Sequence, residues 1–337
     1  MTQPRPLIID AYSHIVPQEY METLSKIAPD DYADKIKPYP ALYDLDFRFG
    51  ILDHFGGIVQ VLTPAWPPVE NVADHKESPE LARMANDGIA ELVSKYPQRF
   101  IAGIACLPMN NMEAALKEID RAVNDLKFRG VLVHTPVNDK PLDLPEFMPL
   151  YEKMQAYNLP IFIHPMRPFS YPDYKTEDAS KYGIASLFGW PYETTTAMTR
   201  LVLSGVLEKY PDLKIVTHHG GAMVPYFAQR IINFQDGFEM IRRWDYFKGL
   251  TRAPIEYFKM YYADLALYGN TPAMMCAYDF FGADKLLFGA DMPLGDNLNG
   301  YRNYRQTINA IEAMDIPEEA RKLIYEDNAR KLMRLPI

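Results

Sequence analysis

Leu7-Ile8-Ile9-Asp10-Ala11-Tyr12-Ser13-His14 sets an apolar run ahead of polar residues that end in an imidazole. Strand side chains alternate with period two, so Asp10, Tyr12 and His14 are expected on one face of a buried strand whose tip is a metal arm. Three later runs end the same way: Ile161-Phe162-Ile163-His164-Pro165, Lys214-Ile215-Val216-Thr217-His218-His219-Gly220 and Leu286-Leu287-Phe288-Gly289-Ala290-Asp291-Met292-Pro293. In a parallel barrel the C-terminal ends of the strands share one face, where that fold builds its active sites. Four such tips predict one convergent site.

Further strands are read at 58–62, 100–107, 130–134 and 260–267, which brings the total to eight. Helical spacing is read at 48–55, 78–96, 112–126, 144–157 and 192–207, with two more helices starting at Arg302 and Pro317. Ser78-Pro79-Glu80 is a helix start with proline in the first turn, and Pro97 stops the same helix. Strands alternating with helices predict an α/β fold, a (β/α)8 TIM barrel, as a single domain over residues 1–337. Residues 15–50 and 166–189, rich in proline and aromatics and without periodicity, are read as long loops over the C-terminal face.

Hydrophobic residues make up 48% of the chain and aromatics 13%, enough for a deep core. A formal charge of -9 argues against nucleic acid or an anionic membrane as the main partner and leaves a small molecule. Cys106 and Cys276 stand far apart and imply no disulfide framework. No signal segment opens the sequence and no run approaches the ~18 apolar residues of a membrane span, so a cytoplasmic protein is expected.

The strand tips deliver His14, His164, the pair His218-His219 and Asp291, and imidazoles with a carboxylate are a donor set that holds a divalent metal and leaves a position open. His134 ends the fourth strand and is read as a buried hydrogen-bonding partner of the site; with Glu193, His218 and Asp264 it is alternatively part of a second metal site. Adjacent residues of a strand face opposite ways, so only one of His218 and His219 is expected at the barrel axis. His54 and His75 are read as solvated.

Taken in order, several pieces carry a resemblance along nearly the whole chain. They are Ile9-Asp10 through Ser13-His14-Ile15-Val16-Pro17, Ile163-His164-Pro165, Gly189-Trp190-Pro191 with Glu193, Gly205-Val206-Leu207 with Tyr210-Pro211, His219-Gly220-Gly221, and Phe288 through Pro293. The chain resembles the amidohydrolase superfamily, in particular the amidohydrolase-2 branch of aminocarboxymuconate semialdehyde, γ-resorcylate and carboxyvanillate decarboxylases. The resemblance implies His14, His164 and Asp291 as metal ligands, His219 with Asp291 as the proton-handling pair, and Arg48 and Trp190 as substrate contacts. It places His219 at the axis and leaves His218 packed between strand and helix, unless a twist at the strand end turns it inward.

One position departs from that pattern. The family opens with His-x-His or Glu-x-His, and this chain has Tyr12 in the first place. Tyr12 binds as a phenolate, or the site has one ligand fewer, or the ring only packs. Zn, Mn and Fe are the candidate metals, and a phenolate oxygen tilts the choice toward Fe or Mn. The resemblance implies a nonoxidative decarboxylase or a hydrolase acting on a small aromatic or enoic carboxylate. The alternatives are a nonheme iron or iron/manganese oxygenase and a metal-poor scaffolding subunit. It also implies an oligomer, a homodimer or a hetero-oligomer with a paralogous subunit.

Overall fold

The strand that opens the chain is also the one that closes the ring. In the computed structural model, which describes residues 7–28, 32–241 and 249–337, β1 (Ile8–Ile15) pairs in parallel with β2 (Ile58–Pro64), and β2 with β3 (Phe100–Gly103). A second parallel run continues through β4 (Val131–Thr135), β5 (Ile161–Pro165), β6 (Ile215–Thr217), β7 (Tyr262–Asp264) and β8 (Leu286–Leu287). Two seams join the runs. Ala105 bridges to Val131 between β3 and β4, and Ser13 to Met292 beyond β8, where Ala11 and His14 donate to Phe288 O at 2.9 Å and Met292 O at 3.0 Å. The result is the (β/α)8 barrel that the alternation predicts.

Two apolar clusters explain why these strands are so uniformly hydrophobic. Ile9, Val61, Leu132, Phe162, Val216 and Leu287 fill the ring, while Ile8, Ile58, Val131, Ile161 and Ile215 face outward beneath the helices. Both faces of each strand are buried, as parallel sheets require. Each fully buried aliphatic side chain contributes about 1.5–3 kcal/mol relative to exposure. Helices with good start signals cover the outside. Asp44 caps 45–55 by accepting from Phe47 N at 3.1 Å, Asn111 caps 112–124 by accepting from Ala114 N at 3.1 Å, and Pro79 occupies the first turn of 78–95.

The segment read as an irregular loop over 15–50 carries helices Gln18–Ile27 and Tyr32–Ile36 ahead of the helix starting at Leu45. The first of these buries only Tyr20 and Leu24, a stripe too narrow to stand out as a period. Residues 166–183 are turns, bends and irregular backbone, as expected for a mouth loop, and tighten into a π turn at Ala185–Gly189 just before helix Trp190–Leu203. The later strands are shorter than read: three residues in β6 and β7 and two in β8. The residues after them leave the ladder to build the site.

A candidate metal centre at the strand tips

Strand parity delivers the imidazoles. Leu132, Phe162 and Val216 point into the ring, so His134, His164 and His218, two residues further on, point inward one layer higher. His134 and His164 are direct neighbours in the β4–β5 register, and their ring centroids lie 5.3 Å apart; His164 and His218 are 5.5 Å apart. His218 therefore does not pack between strand and helix, as its neighbour's assignment had implied. Its ring stands 3.6 Å from that of Tyr12, inside the barrel, and its Nδ1 meets Asp264 Oδ2. His219 reaches the same face by another route. At φ +57° it has already left the strand, which cancels the alternation, and its backbone N–H donates to Asp264 Oδ1 at 2.9 Å.

β1 does not follow simple alternation either. Its register slips between Asp10 and Ser13, so Tyr12 and His14 face the ring while Asp10 turns away. The expectation that all three share a face fails at this bulge. Asp10 accepts from Tyr304 Oη at 2.7 Å and Ser13 Oγ at 2.9 Å behind the strand.

His14, His164 and Asp291 each offer a ligand atom, and these atoms all lie within 4.8 Å of one another. All three residues are buried. His14 Nδ1 lies 3.2 Å from Pro64 O, a contact that aims Nε2 at Asp291 Oδ1, 3.2 Å away. Asp291 stands at φ +55°, just past β8, and its Oδ2 accepts from Tyr268 Oη at 2.8 Å and lies 3.6 Å from His219 Nε2. Burial would raise the Asp291 carboxyl, but hydrogen bonds with His14 and His219 hold it well below the usual carboxylate range. Burial also pushes His164 well down, and it takes His134 to about 3, so both stand as neutral imidazoles, the form that binds metal. For His219 burial works the other way from Asp291, whose hydrogen bond and charge win and raise the imidazole.

The donor set fits a cation. His164 Nδ1, Tyr12 Oη, His134 Nε2 and His218 Nε2 are closed to water and have no hydrogen-bond partner, and His14 Nε2 and Asp291 Oδ1, equally closed, have only each other at 3.2 Å. Buried polar atoms are normally paired, so such a concentration calls for a missing partner. An ion about 2.0–2.2 Å from its ligands needs less room than a water about 2.7–3.2 Å away. Tyr12 is 1% exposed, and burial, followed by the charges of Asp291 and Asp264, pushes its phenol well up. It is a protonated phenol until a cation offsets those carboxylates.

Matches to known proteins follow the same outline. The family described as Amidohydrolase matches residues 51–335. The chain belongs to the amidohydrolase family. A γ-resorcylate decarboxylase from Polaromonas sp. is 30% identical over 330 residues, covering 96% of this chain and 97% of that one. Among solved structures, the 5-carboxyvanillate decarboxylase of Sphingomonas paucimobilis superposes with a TM-score of 0.83 at 25% identity, over 98% of this chain and 99% of that chain. A dihydroxybenzoic acid decarboxylase from Polaromonas sp., solved with manganese and 2-nitroresorcinol, gives 0.80 at 29% identity, over 98% and 97%.

Within this amidohydrolase barrel the other expected site residues are distributed unevenly. Trp190 lies beside the candidate ligands, its ring 5.9 Å from that of His164. Arg48 is fully buried behind β1. Its Nη1 donates to His14 O at 2.8 Å and Ala41 O at 2.7 Å, and its Nε to Gln60 Oε1 at 2.8 Å, so it braces the strand that carries His14 and presents no fork to the mouth. Glu193 is drawn into an ion pair with Arg167 at 3.0 Å and is not gathered with His134, His218 and Asp264 into a second group. His54 and His75 are exposed, as expected. Tyr268 and Arg167 were not singled out in the sequence. Tyr268 follows β7 by four residues and stacks on His219 with centroids 6.2 Å apart, and Arg167 follows His164 by three. Extending the strand-tip reading beyond imidazole and carboxylate would have found both.

Proposed function

We propose that this protein is a metal-dependent decarboxylase that removes carbon dioxide, without oxidation, from a small hydroxylated aromatic acid, and that the whole chain acts as one domain. The observation that carries the reading is the buried trio His14, His164 and Asp291 beside the His219–Asp291 pair, in a chain that aligns end to end with decarboxylases. His14, His164 and Asp291 would hold the ion, with manganese, found in a relative, as the expected metal. A divalent ion there supplies Lewis-acid polarisation of a substrate oxygen and a fixed positive charge.

The chain's own residues do the rest. Trp190 offers a flat apolar wall to an aromatic ring. His219, its imidazole raised beside Asp291, holds a proton within 3.6 Å of Asp291 Oδ2. That proton goes to the ring carbon bearing the carboxylate; the bond from that carbon to the carboxylate carbon then breaks, its electron pair restores the aromatic ring, and carbon dioxide leaves. Tyr268, donating to Asp291 at 2.8 Å, fixes which oxygen faces His219. His134 and His218, neutral and inward, limit water around the reacting carbon.

The test is release of carbon dioxide from a panel of hydroxybenzoates and enoic acids by manganese-loaded enzyme. Turnover of at least one hydroxybenzoate, lost in His219→Asn with metal retained, is expected. Lactone or ester hydrolysis without any decarboxylation would replace this reading by the hydrolase one. Oxygen consumption by an iron-loaded protein would replace it by the oxygenase, and a protein that takes up no metal by the scaffold. We further infer a cytoplasmic enzyme, supported by free Cys106 and Cys276 and by the lack, among the described residues, of a helix long and apolar enough to cross a membrane. Self-association is inferred from exposed Leu187, Phe188, Tyr192 and Tyr226, with sedimentation as the check.

A further inference from the structure

A second charged pair stands at the mouth of the barrel. Arg167 lies three residues past His164 in the loop after β5, and Glu193 lies three residues past Trp190 in helix Trp190–Leu203. Their side chains meet at 3.0 Å and are 20% and 13% exposed, so the pair is mostly covered and still reached by solvent. The arginine is held in a made slot. A Cβ on Gly189 would come within 2.3 Å of Arg167 Cδ, so only glycine admits the stem there, and the Tyr171 ring covers the guanidinium with its centroid 5.5 Å away. One guanidinium N–H is used on Glu193, and no nitrogen of Arg167 is among the buried atoms lacking a partner, so the remaining donors face solvent.

We propose that Arg167 and Glu193 form an anion-binding subsite above the metal centre: Arg167 takes a carboxylate of the aromatic substrate, and Glu193 competes for the same guanidinium when the site is empty. Three physical points carry this. In a chain of formal charge -9, a cation on the loop after β5 adds to the pull that a metal ion at the strand tips would exert on an acid. Arg48, the other arginine considered for that task, is fully buried behind β1 with its Nη1 on two backbone carbonyls. A guanidinium with free donors binds a carboxylate through two parallel hydrogen bonds, whereas Glu193 engages it through one. What occupies the subsite rests on the decarboxylase reading, but its existence is tested without turnover.

Salicylate binding to the manganese-loaded protein is measured by calorimetry for wild type, Arg167→Met, Arg167→Lys and Glu193→Gln, with phenol as the uncharged control. Arg167→Met is expected to weaken salicylate about tenfold or more, Arg167→Lys to restore part of that, and Glu193→Gln, which frees the guanidinium, to tighten it about threefold. Phenol affinity and manganese content should not move. A brace that merely holds the loop to the helix would weaken binding in both Arg167→Met and Glu193→Gln, and that result overturns the proposal. So does wild-type affinity in Arg167→Met, or failure of wild type to bind salicylate. Should Arg167→Met not fold, the opposite signs of Arg167→Lys and Glu193→Gln still decide. An enzyme that binds salicylate through Arg167 yet releases no carbon dioxide from any acid keeps the subsite and loses the decarboxylase.

Discussion

Tyr12 stands beside the His14, His164 and Asp291 group with a side chain that has to lose a proton to be a good ligand. Its burial and the facing Asp291 and Asp264 oppose that loss. Tyr12→Phe is therefore expected to keep one manganese per chain by elemental analysis, whereas His14→Ala or Asp291→Asn loses it. Loss of manganese in Tyr12→Phe would mean that the phenol is a working ligand. Arg48 carries the opposite lesson. Burial lowers its guanidinium to about 10, so it stays charged at neutral pH, and it holds three acceptors, one of them the carbonyl of His14 itself. Arg48→Met leaves those neutral acceptors without a donor and should cost about 1–3 kcal/mol for each that stays unsatisfied, read in chemical denaturation. At this scale much was legible: an imidazole or carboxylate after an apolar strand is a readable sign, and His14, His164 and Asp291 do meet. What could not be read was orientation. A one-residue slip in β1 and a left-handed turn at His219 each reverse a face, and neither leaves a mark on the identity of the residues that turn.

Turns after strands are where this barrel stores its cost. Asp291 at φ +55° departs from ordinary backbone by roughly 1–2 kcal/mol, and the surrounding hydrogen bonds offset it. Asn303 Nδ2 donates to Ala290 O at 2.9 Å and Leu294 O at 3.0 Å, clamping the turn at both ends. Another turn after a strand, Val69–Asn71 past β2, buries Glu70, whose carboxyl is pushed up to about 7 by burial. Its folded value lies above the ordinary 4.5, so the folded state holds the extra proton at low pH. The cost of ionising Glu70 is absent below about 4.5 and fully present above about 7. Glu70→Gln should therefore raise the melting temperature at pH 8 and leave it nearly unchanged at pH 4.5; equal shifts at both would point to packing instead. Long periodic helices and apolar strands were legible at this scale. Helix Gln18–Ile27 was not, because two buried residues make no period, and the short later strands were overread because apolar residues continue past the last ladder bond.

Taken as a whole, the molecule is a ring whose ion would be a structural as well as a chemical component. A ligand bound only by the folded state stabilises it by an amount set by its excess over the dissociation constant, about 2.7 kcal/mol at a hundredfold excess. Chelation of the metal should lower the melting temperature, and manganese should restore it in proportion to the logarithm of its concentration, with one ion per chain at saturation. A melting point indifferent to manganese would remove the metal from the fold's energetics. The barrel itself was the most legible feature, since eight apolar strands alternating with helices admit few other closures.

The seam between Ser13 and Met292 ties the chain's first strand to its last, and two of the three candidate ligands, His14 and Asp291, sit on either side of it. A nascent chain still short of residue 291 carries both imidazoles but cannot cage an ion. An ion held by these residues would be acquired at the end of synthesis, after ring closure has brought beginning and end together, and a ribosome-stalled fragment lacking the final strand should emerge metal-free however much manganese the cell supplies.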